Sequence, residues 1–97
     1  DDVEDYVVKD GVVTIASGVF YNNTTIKSVT LPSSVKNIGT NAFAGCTNLT
    51  EINLPDGLES IGYGAFADSG LDTIRVPKSV KSIGADAFLG IDTVDKE

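Results

Sequence analysis

The chain has 97 residues, of which 41% are hydrophobic and 22% are charged, and this composition is typical of a folded domain. It contains no apolar run long enough to cross a bilayer, so membrane insertion is not expected. The formal charge is −7, and the seven basic residues are scattered among fourteen acidic ones, so the basic stripe that nucleic-acid binding requires is missing.

The first predicted element is a short strand at residues 3–8, where inward apolar residues alternate with polar ones. The same period of two returns at residues 26–31, 49–54 and 71–76. A proline closes the last three of these segments, because it cannot donate to a strand ladder. Tyr6 shares its column with apolar residues of the later segments, so its ring is expected to point inward.

A second apolar pair follows each strand and predicts another short strand or extended edge. The pairs are Val12 and Ile15, Val35 and Ile38, Leu58 and Ile61, and Val80 and Ile83. Glycine comes directly after the last three pairs, where we expect a sharp turn that requires a positive φ. Ala16 stands at this place in the first repeat, so either that turn differs or glycine is not obligatory there.

An Ala-Phe segment, such as residues 40–45, completes each repeat. A capping-type residue before the pair and a glycine after it predict one helical or 3₁₀ turn. Phenylalanine recurs at positions 20, 43, 66 and 88, with spacings of 23, 23 and 22 residues. We therefore expect the four rings to stack as an internal ladder.

A repeat period in the low twenties predicts a solenoid, in which each coil buries its apolar face only against its neighbours. The expected fold is one β-rich domain over residues 1–97, a right-handed stack of about four coils with a parallel sheet. The coils are expected at about residues 3–25, 26–48, 49–70 and 71–93. Residues 94–97 would begin an incomplete fifth coil, in which Val94 aligns with Leu49 and Leu71.

The pattern L-x-x-I-x-L-P, then V-x-x-I-G, then A-F-x-G-C resembles the BspA-type leucine-rich repeat, and the resemblance covers essentially the whole chain. It implies a leucine-rich-repeat coil stack in a surface-exposed or secreted protein of bacteria or of some parasitic protists. Family members are associated with adhesion to host proteins or to other cells. No residue-level binding motif accompanies the resemblance, so it is an analogy at the level of the fold.

The functional expectation is a non-catalytic protein-binding or adhesion module, extracellular or at the cell surface, whose partner is a host or bacterial surface protein. The alternative is a structural spacer or stalk segment without a ligand of its own. The missing initiator methionine and the short array also leave room for an excised piece or an idealised array.

The outward residues of the first strands form the expected binding face. These candidate residues are short, mixed and polar: Lys27, Ser28, Thr30, Thr50, Glu51, Asn53, Asp72, Thr73 and Arg75. Only Arg75 belongs to the residue types that dominate protein-binding hot spots. Carbohydrate recognition on this face is disfavoured because it lacks a stacking ring, whereas Tyr21 and Tyr63 lie near the predicted helical turns.

Catalysis is the weakest hypothesis. Glu51 and Asp72 could in principle act as a glycosidase pair, but short coils without inserted loops provide no pocket around them. Cys46 is the only cysteine and the chain has no histidine to activate it, so we expect a buried or half-buried, unreactive thiol. No cofactor is expected.

Charge is concentrated at the chain ends, since residues 1–10 contribute −4 and residues 91–97 contribute −2. Solvated termini explain this pattern best, and a calcium site is the alternative. Along the stack Glu4 should lie beside Lys27, whereas Asp72 should lie beside Asp95 as a like-charged pair. Uncapped coil ends predict end-to-end self-association, which acidic repulsion would oppose at low salt.

Overall fold

The computed structural model describes residues 3–97 and consists of short strands joined by turns. The strands in this part of the chain are β1 (Asp5–Val7), β2 (Thr14–Ile15), β3 (Ser28–Thr30), β4 (Asn37–Ile38), β5 (Glu51–Ile52), β6 (Ser60–Ile61), β7 (Thr73–Val76), β8 (Ser82–Ile83) and β9 (Thr93–Lys96). Asp1 and Asp2, which belong to the acidic terminus that the sequence predicts to be solvated, lie outside the described residues. None of the described segments is a helix with the length and apolarity that a membrane crossing needs.

The strands form parallel ladders between successive coils. The first strands give the order β1-β3-β5, and the second strands give β2-β4-β6-β8. Val29 lies opposite both Tyr6 and Ile52, and Ile38 lies opposite both Ile15 and Ile61. The predicted solenoid of about four coils with a parallel sheet is therefore confirmed, although its strands are shorter than the alternating segments.

The ladder of first strands is interrupted after β5, and β7 pairs with β9 as a separate two-stranded sheet. Where β5 ends, the side chain of Asn53 makes hydrogen bonds to the preceding coil in place of the strand backbone. Its Oδ1 accepts from the Leu31 N–H at 2.7 Å, and its Nδ2 donates to the Leu31 carbonyl at 2.9 Å. One amide side chain thus satisfies the backbone of the preceding coil, as a strand residue would do.

The core runs through the stack as columns of apolar side chains. The four phenylalanine rings stack with centroid distances of 5.4, 5.3 and 6.2 Å, which confirms the predicted ladder. Phe43 and Phe66 are fully buried, and Phe20 and Phe88 are half-buried because each has a ring neighbour in the stack on one side only. Tyr6 does turn inward, with its ring edge-on to Phe20 at 5.3 Å, but it remains 39% exposed at the end of the stack.

The glycines after the second strands are required for a reason other than the predicted one. Gly39, Gly62 and Gly84 do not adopt a positive φ. A Cβ on Gly62 would lie 2.7 Å from the Thr40 nitrogen and 2.8 Å from the Gly39 carbonyl carbon of the preceding coil. These glycines are therefore needed for the close approach of two backbones. Ala16 occupies this column in the first described coil, beneath which no other described coil packs.

The Ala-Phe segments are hydrogen-bonded turns, and the predicted helical or 3₁₀ turn is wrong. Alternate N–H groups donate to carbonyls outside the segment. Phe43 donates to the Ala65 carbonyl of the next coil at 2.7 Å, whereas Ala44 donates locally to the Asn41 carbonyl at 3.3 Å. A helix keeps its N–H groups within the segment. Here every second N–H joins the next coil, so helical geometry cannot form.

Two residues in each of these turns have a positive φ, and their types alternate along the stack. The first column reads Gly18, Asn41, Gly64 and Asp86, and the second reads Asn22, Gly45, Asp68 and Gly90. Each coil therefore holds one glycine and one Asn or Asp, the residue types that best tolerate this conformation. The order reverses from one coil to the next.

Between the first three coils, the alternation has a steric cause. A Cβ on Gly45 would lie 1.9 Å from Oδ1 of Asn22, and a Cβ on Gly64 would lie 2.3 Å from Oδ1 of Asn41. Each asparagine side chain thus occupies the space that the glycine of the next coil leaves free. Odd and even coils differ in this respect, so the chemical repeat of the stack is a pair of coils.

The C-terminal strand is placed differently from the sequence alignment. Val94 lies opposite Ile74 rather than Leu71, and Asp95 lies opposite Arg75 rather than beside Asp72. The last strand does pack on the stack, because Val94 is half-buried against the core. Ile74 and Val94 are only 20 positions apart, so counting by 22 or 23 residues misplaces the strand.

We predict that Gly62→Ala lowers the free energy of unfolding by about 3 kcal/mol, because its Cβ would meet backbone atoms that cannot rotate away. Gly18→Ala is the matched control, since its Cβ would meet nothing closer than 4.0 Å. Its cost should be about 1–2 kcal/mol, from the positive φ alone. Urea unfolding measures both values, and equal losses would contradict the backbone contact.

End-to-end self-association stays a prediction, now resting on the open edges of β1 and β9. The monomer should dominate at low salt and associate as ionic strength screens the acidic ends within about 8 Å at physiological salt. Sedimentation velocity across a salt series measures this. A species that stays monomeric, or that dissociates as salt rises, would contradict the prediction.

Candidate binding surface

The predicted strand face, defined as the nine candidate residues named above, lies on the solvent side of the first strands. Eight of these residues are exposed and Ser28 is half-buried, because the pleat turns alternate side chains away from the core. One position of this face is occupied in three successive coils by Thr30, Asn53 and Arg75. They lie on the side opposite to the side chains that enter the core. The sequence therefore identified an accessible surface.

Several residues of the strand face already have partners within the chain. Lys27 lies 3.5 Å from Glu4, as the charge pattern predicts, and the Ser28 hydroxyl donates to Asp5 at 2.6 Å. Arg75 forms an ion pair with Glu97, which the corrected position of β9 brings alongside. Asn53 is engaged with the Leu31 backbone.

The remaining charges on the strand face are acidic. Within residues 3–97, the ion pairs shorter than 4.0 Å are those of Lys27 and Arg75, so both cations of this face are neutralised internally. Glu51 and Asp72 are exposed carboxylates outside these pairs. The face consequently presents an unbalanced negative charge near its centre.

An open cleft of about 360 Å³ lies beyond the end of β7. Its lining combines both charge signs, and consists of Asp56, Arg75, Lys78, Ser79 and Glu97. Sequence reasoning missed this cleft, because it misplaced Glu97 by assigning the wrong register to the last strand. The correct signal was the shortened spacing between Ile74 and Val94.

Glu51 and Asp72, the carboxylates weighed as a glycosidase pair, lie outside the clefts found in the described part of the chain near Arg75 and Tyr21. Glu51 lies in β5 and Asp72 precedes β7, at the interruption of the ladder, and the cleft near Arg75 is lined by neither residue. In the described part of the chain, no three His, Cys, Asp or Glu residues cluster in a way that could hold a metal ion.

Cys46 is buried, as the sequence predicts, with no exposed surface. Its thiol donates to the Phe20 carbonyl of the preceding coil at 3.0 Å. Burial raises the pKa of this thiol above its ordinary value of 9.0, although the backbone of Asn23 acts in the opposite direction. The side chain thus serves as a small core residue with one hydrogen bond.

Residues 3–95 match the family model described as "BspA type Leucine rich repeat region (6 copies)". Among curated proteins, none is similar enough in sequence to count as a relative. The resemblance noted from the repeat columns and the family match agree over almost the whole chain.

Solved structures of bacterial proteins share the fold. A leucine-rich repeat protein from Bacteroides ovatus is 33% identical with a TM-score of 0.88, over 96% of this chain and 25% of that protein. The leucine-rich repeat protein of T. pallidum is 35% identical with a TM-score of 0.72, over 92% of this chain and 55% of that one. The pneumococcal vaccine antigen PcpA has a TM-score of 0.78 at 24% identity, over 99% of this chain and 29% of that one, and shows likeness of fold alone. The chain thus spans a quarter to about half of the first two proteins.

We predict that a thiol reagent labels Cys46 much more slowly in the native protein than in the unfolded chain, because the thiolate form is disfavoured and inaccessible. Equal rates would show that the thiol is exposed.

The raised pKa of Cys46 also predicts a pH dependence of stability. The folded state binds the thiol proton more tightly than the unfolded chain does. The contribution of the protonated thiol to the free energy of unfolding is therefore fully present below pH 9.0, and it is lost as pH rises through the folded pKa. The slope is at most about 1.4 kcal/mol per pH unit. Comparing urea unfolding of the wild type and Cys46→Ala isolates this effect, which the variant should lack.

Proposed function

Because the chain belongs to the BspA-type leucine-rich repeat family, we propose that it is a non-catalytic protein-binding or adhesion module of a bacterial cell-surface or secreted protein. The family and its fold are typically non-catalytic, and the solved proteins of similar fold come from bacteria. An extracellular or cell-surface location belongs to this proposal.

The observation that carries the proposal is the accessibility of the strand face over successive coils. Five of its nine side chains project from strands, and the other four belong to residues directly next to a strand, so their spacing is set largely by the strand backbone rather than by long loops. Polar groups held in this way meet a protein partner with little loss of conformational freedom. Solenoids offer extended surfaces of this kind to their partners.

The charge of the strand face indicates the chemistry of the partner. Lys27 and Arg75 are paired with acids of the same chain, while Glu51 and Asp72 are exposed. A protein that presents lysine or arginine opposite these two carboxylates would be attracted and oriented by them. We therefore favour a basic patch on an extracellular protein as the complementary surface.

The spacer function remains the second candidate, and one observation favours it. Four strand-face residues, Lys27, Ser28, Asn53 and Arg75, are engaged in contacts between neighbouring coils. Such contacts stiffen a stack even when nothing binds to it. A spacer predicts no saturable association with any partner.

The test is binding of immobilised protein to a panel of purified extracellular host proteins, with the variant Glu51→Ala, Asp72→Ala beside the wild type. Saturable binding that the variant weakens by about tenfold or more supports the proposal, since hot-spot truncations cost about 2 kcal/mol or more. Absence of binding across the panel would favour the spacer.

The matched control is Asp10→Ala, Glu59→Ala. Both residues are exposed and lie outside the strand face, and the change also removes two negative charges. This variant should bind like the wild type. Equal loss in both variants would show that net charge, rather than the strand face, controls association.

A further inference from the structure

Among the described residues, the two most exposed aromatic rings lie on the turns rather than on the strand face. Tyr21 is 57% exposed and Tyr63 is 53% exposed, and both belong to the segments that follow the second strands. The tyrosine of the first strands, Tyr6, is instead packed edge-on against Phe20. We call the exposed side of the turns the turn face, represented by Ser17, Tyr21, Thr40, Asn41 and Tyr63.

An open cleft of about 350 Å³ lies on the turn face. Its lining consists of Ser17, Gly18, Tyr21, Thr40 and Asn41. None of these residues is charged at neutral pH, in contrast to the cleft near Arg75. The volume is at the lower end of the range for small-molecule sites, which are lined by an apolar or aromatic surface and a few polar groups.

The backbone builds this cleft from two adjacent coils. The Gly18 N–H donates to the Thr40 carbonyl at 2.9 Å, which sets Ser17 and Gly18 of one coil beside Thr40 and Asn41 of the next. The Tyr21 N–H donates to the Gly18 carbonyl at 3.1 Å and closes the turn that carries the ring. The cleft is therefore held by backbone contacts, without an inserted loop.

Small neighbours keep the Tyr21 ring uncovered along the stack. The matching positions in the next two coils are Ala44 and Ala67, whose side chains are too short to cover the ring. Tyr63 follows on the other side, because the Asn41 N–H donates to the Tyr63 carbonyl at 2.8 Å. A ligand lying over Tyr21 would thus find hydroxyl and amide groups beside it and a second tyrosine one coil further on.

We propose that the turn face binds a neutral saccharide at this cleft. A sugar ring has an apolar C–H face that can lie on the ring of Tyr21, and tyrosine combines an apolar body with a polar end. Its hydroxyl rim can exchange hydrogen bonds with the exposed hydroxyls of Ser17 and Thr40, each of which can donate and accept. Acidic sugars are excluded, since the cleft contains no cation and the chain carries a charge of −7.

The test is saturation-transfer difference NMR on the intact chain, with glucose, galactose, mannose and N-acetylglucosamine as probes and sialic acid as the charged comparison. At least one neutral sugar should receive saturation on its ring C–H protons, and sialic acid should receive none. Tyr21→Ala should weaken this binding by roughly tenfold, whereas Tyr21→Phe should retain most of it because the stacking surface remains.

Two further variants separate the ligand site from other effects. Thr40→Val keeps the shape of the cleft and removes one hydroxyl, so the affinity should fall while the thermal unfolding midpoint stays near that of the wild type. The variant Lys27→Ala, Glu51→Ala, Arg75→Ala should bind the sugar normally. The sugar-binding proposal is therefore tested independently of the strand face. Any of four results overturns the proposal. These are that no neutral sugar binds, that Tyr21→Ala binds the sugar as the wild type does, or that sialic acid binds better than the neutral sugars. The fourth is that Tyr21→Ala loses binding of a protein partner while it keeps binding of the sugar.

Discussion

Hydrogen bonding between coils is the constraint on which the rest of the structure depends. The strands are two to four residues long and the turns keep only half of their N–H groups, so most polar backbone groups must find partners one coil away. Two coils can meet in this way only where their backbones touch. Gly39, Gly62 and Gly84 supply that contact, and the stacked phenylalanines fill the space that it leaves inside.

The same constraint explains why the stack is built of coil pairs. Two residues of each turn need a positive φ, and an asparagine side chain at one level requires glycine at the next. Gly11 and Gly57 alternate likewise with Ser34 and Ser79, whose hydroxyls accept from the glycine N–H groups at 3.1 and 2.9 Å. An odd coil therefore fits an even coil better than it fits another odd one.

This architecture leaves two surfaces for function, and they differ in chemistry. The strand face is polar and charged, with both of its cations paired internally and two carboxylates exposed. The turn face is uncharged around its cleft and bears the two most exposed tyrosines. The protein partner proposed above belongs to the first surface, and the sugar proposed above belongs to the second.

The amino-acid sequence by itself determined what depends on periodicity. The columns through Val29, Ile38 and Phe43 recur at 22 or 23 residues, and from them follow the solenoid, the parallel pairing, the ring ladder, the burial of Cys46 and the exposure of the strand face.

Only the tertiary structure decided where hydrogen bonds cross from coil to coil, because partners some 22 residues apart leave no local signal. For that reason the turns are not helical, the glycines after the second strands serve backbone contact, and Asn53 and Arg75 have partners within the chain. The position of Val94 was hidden because the last repeat is shortened, and only its pairing with Ile74 reveals the register. The cleft beside Tyr21 likewise exists only once two coils are stacked, since the first coil supplies three of its five lining residues and the second supplies two.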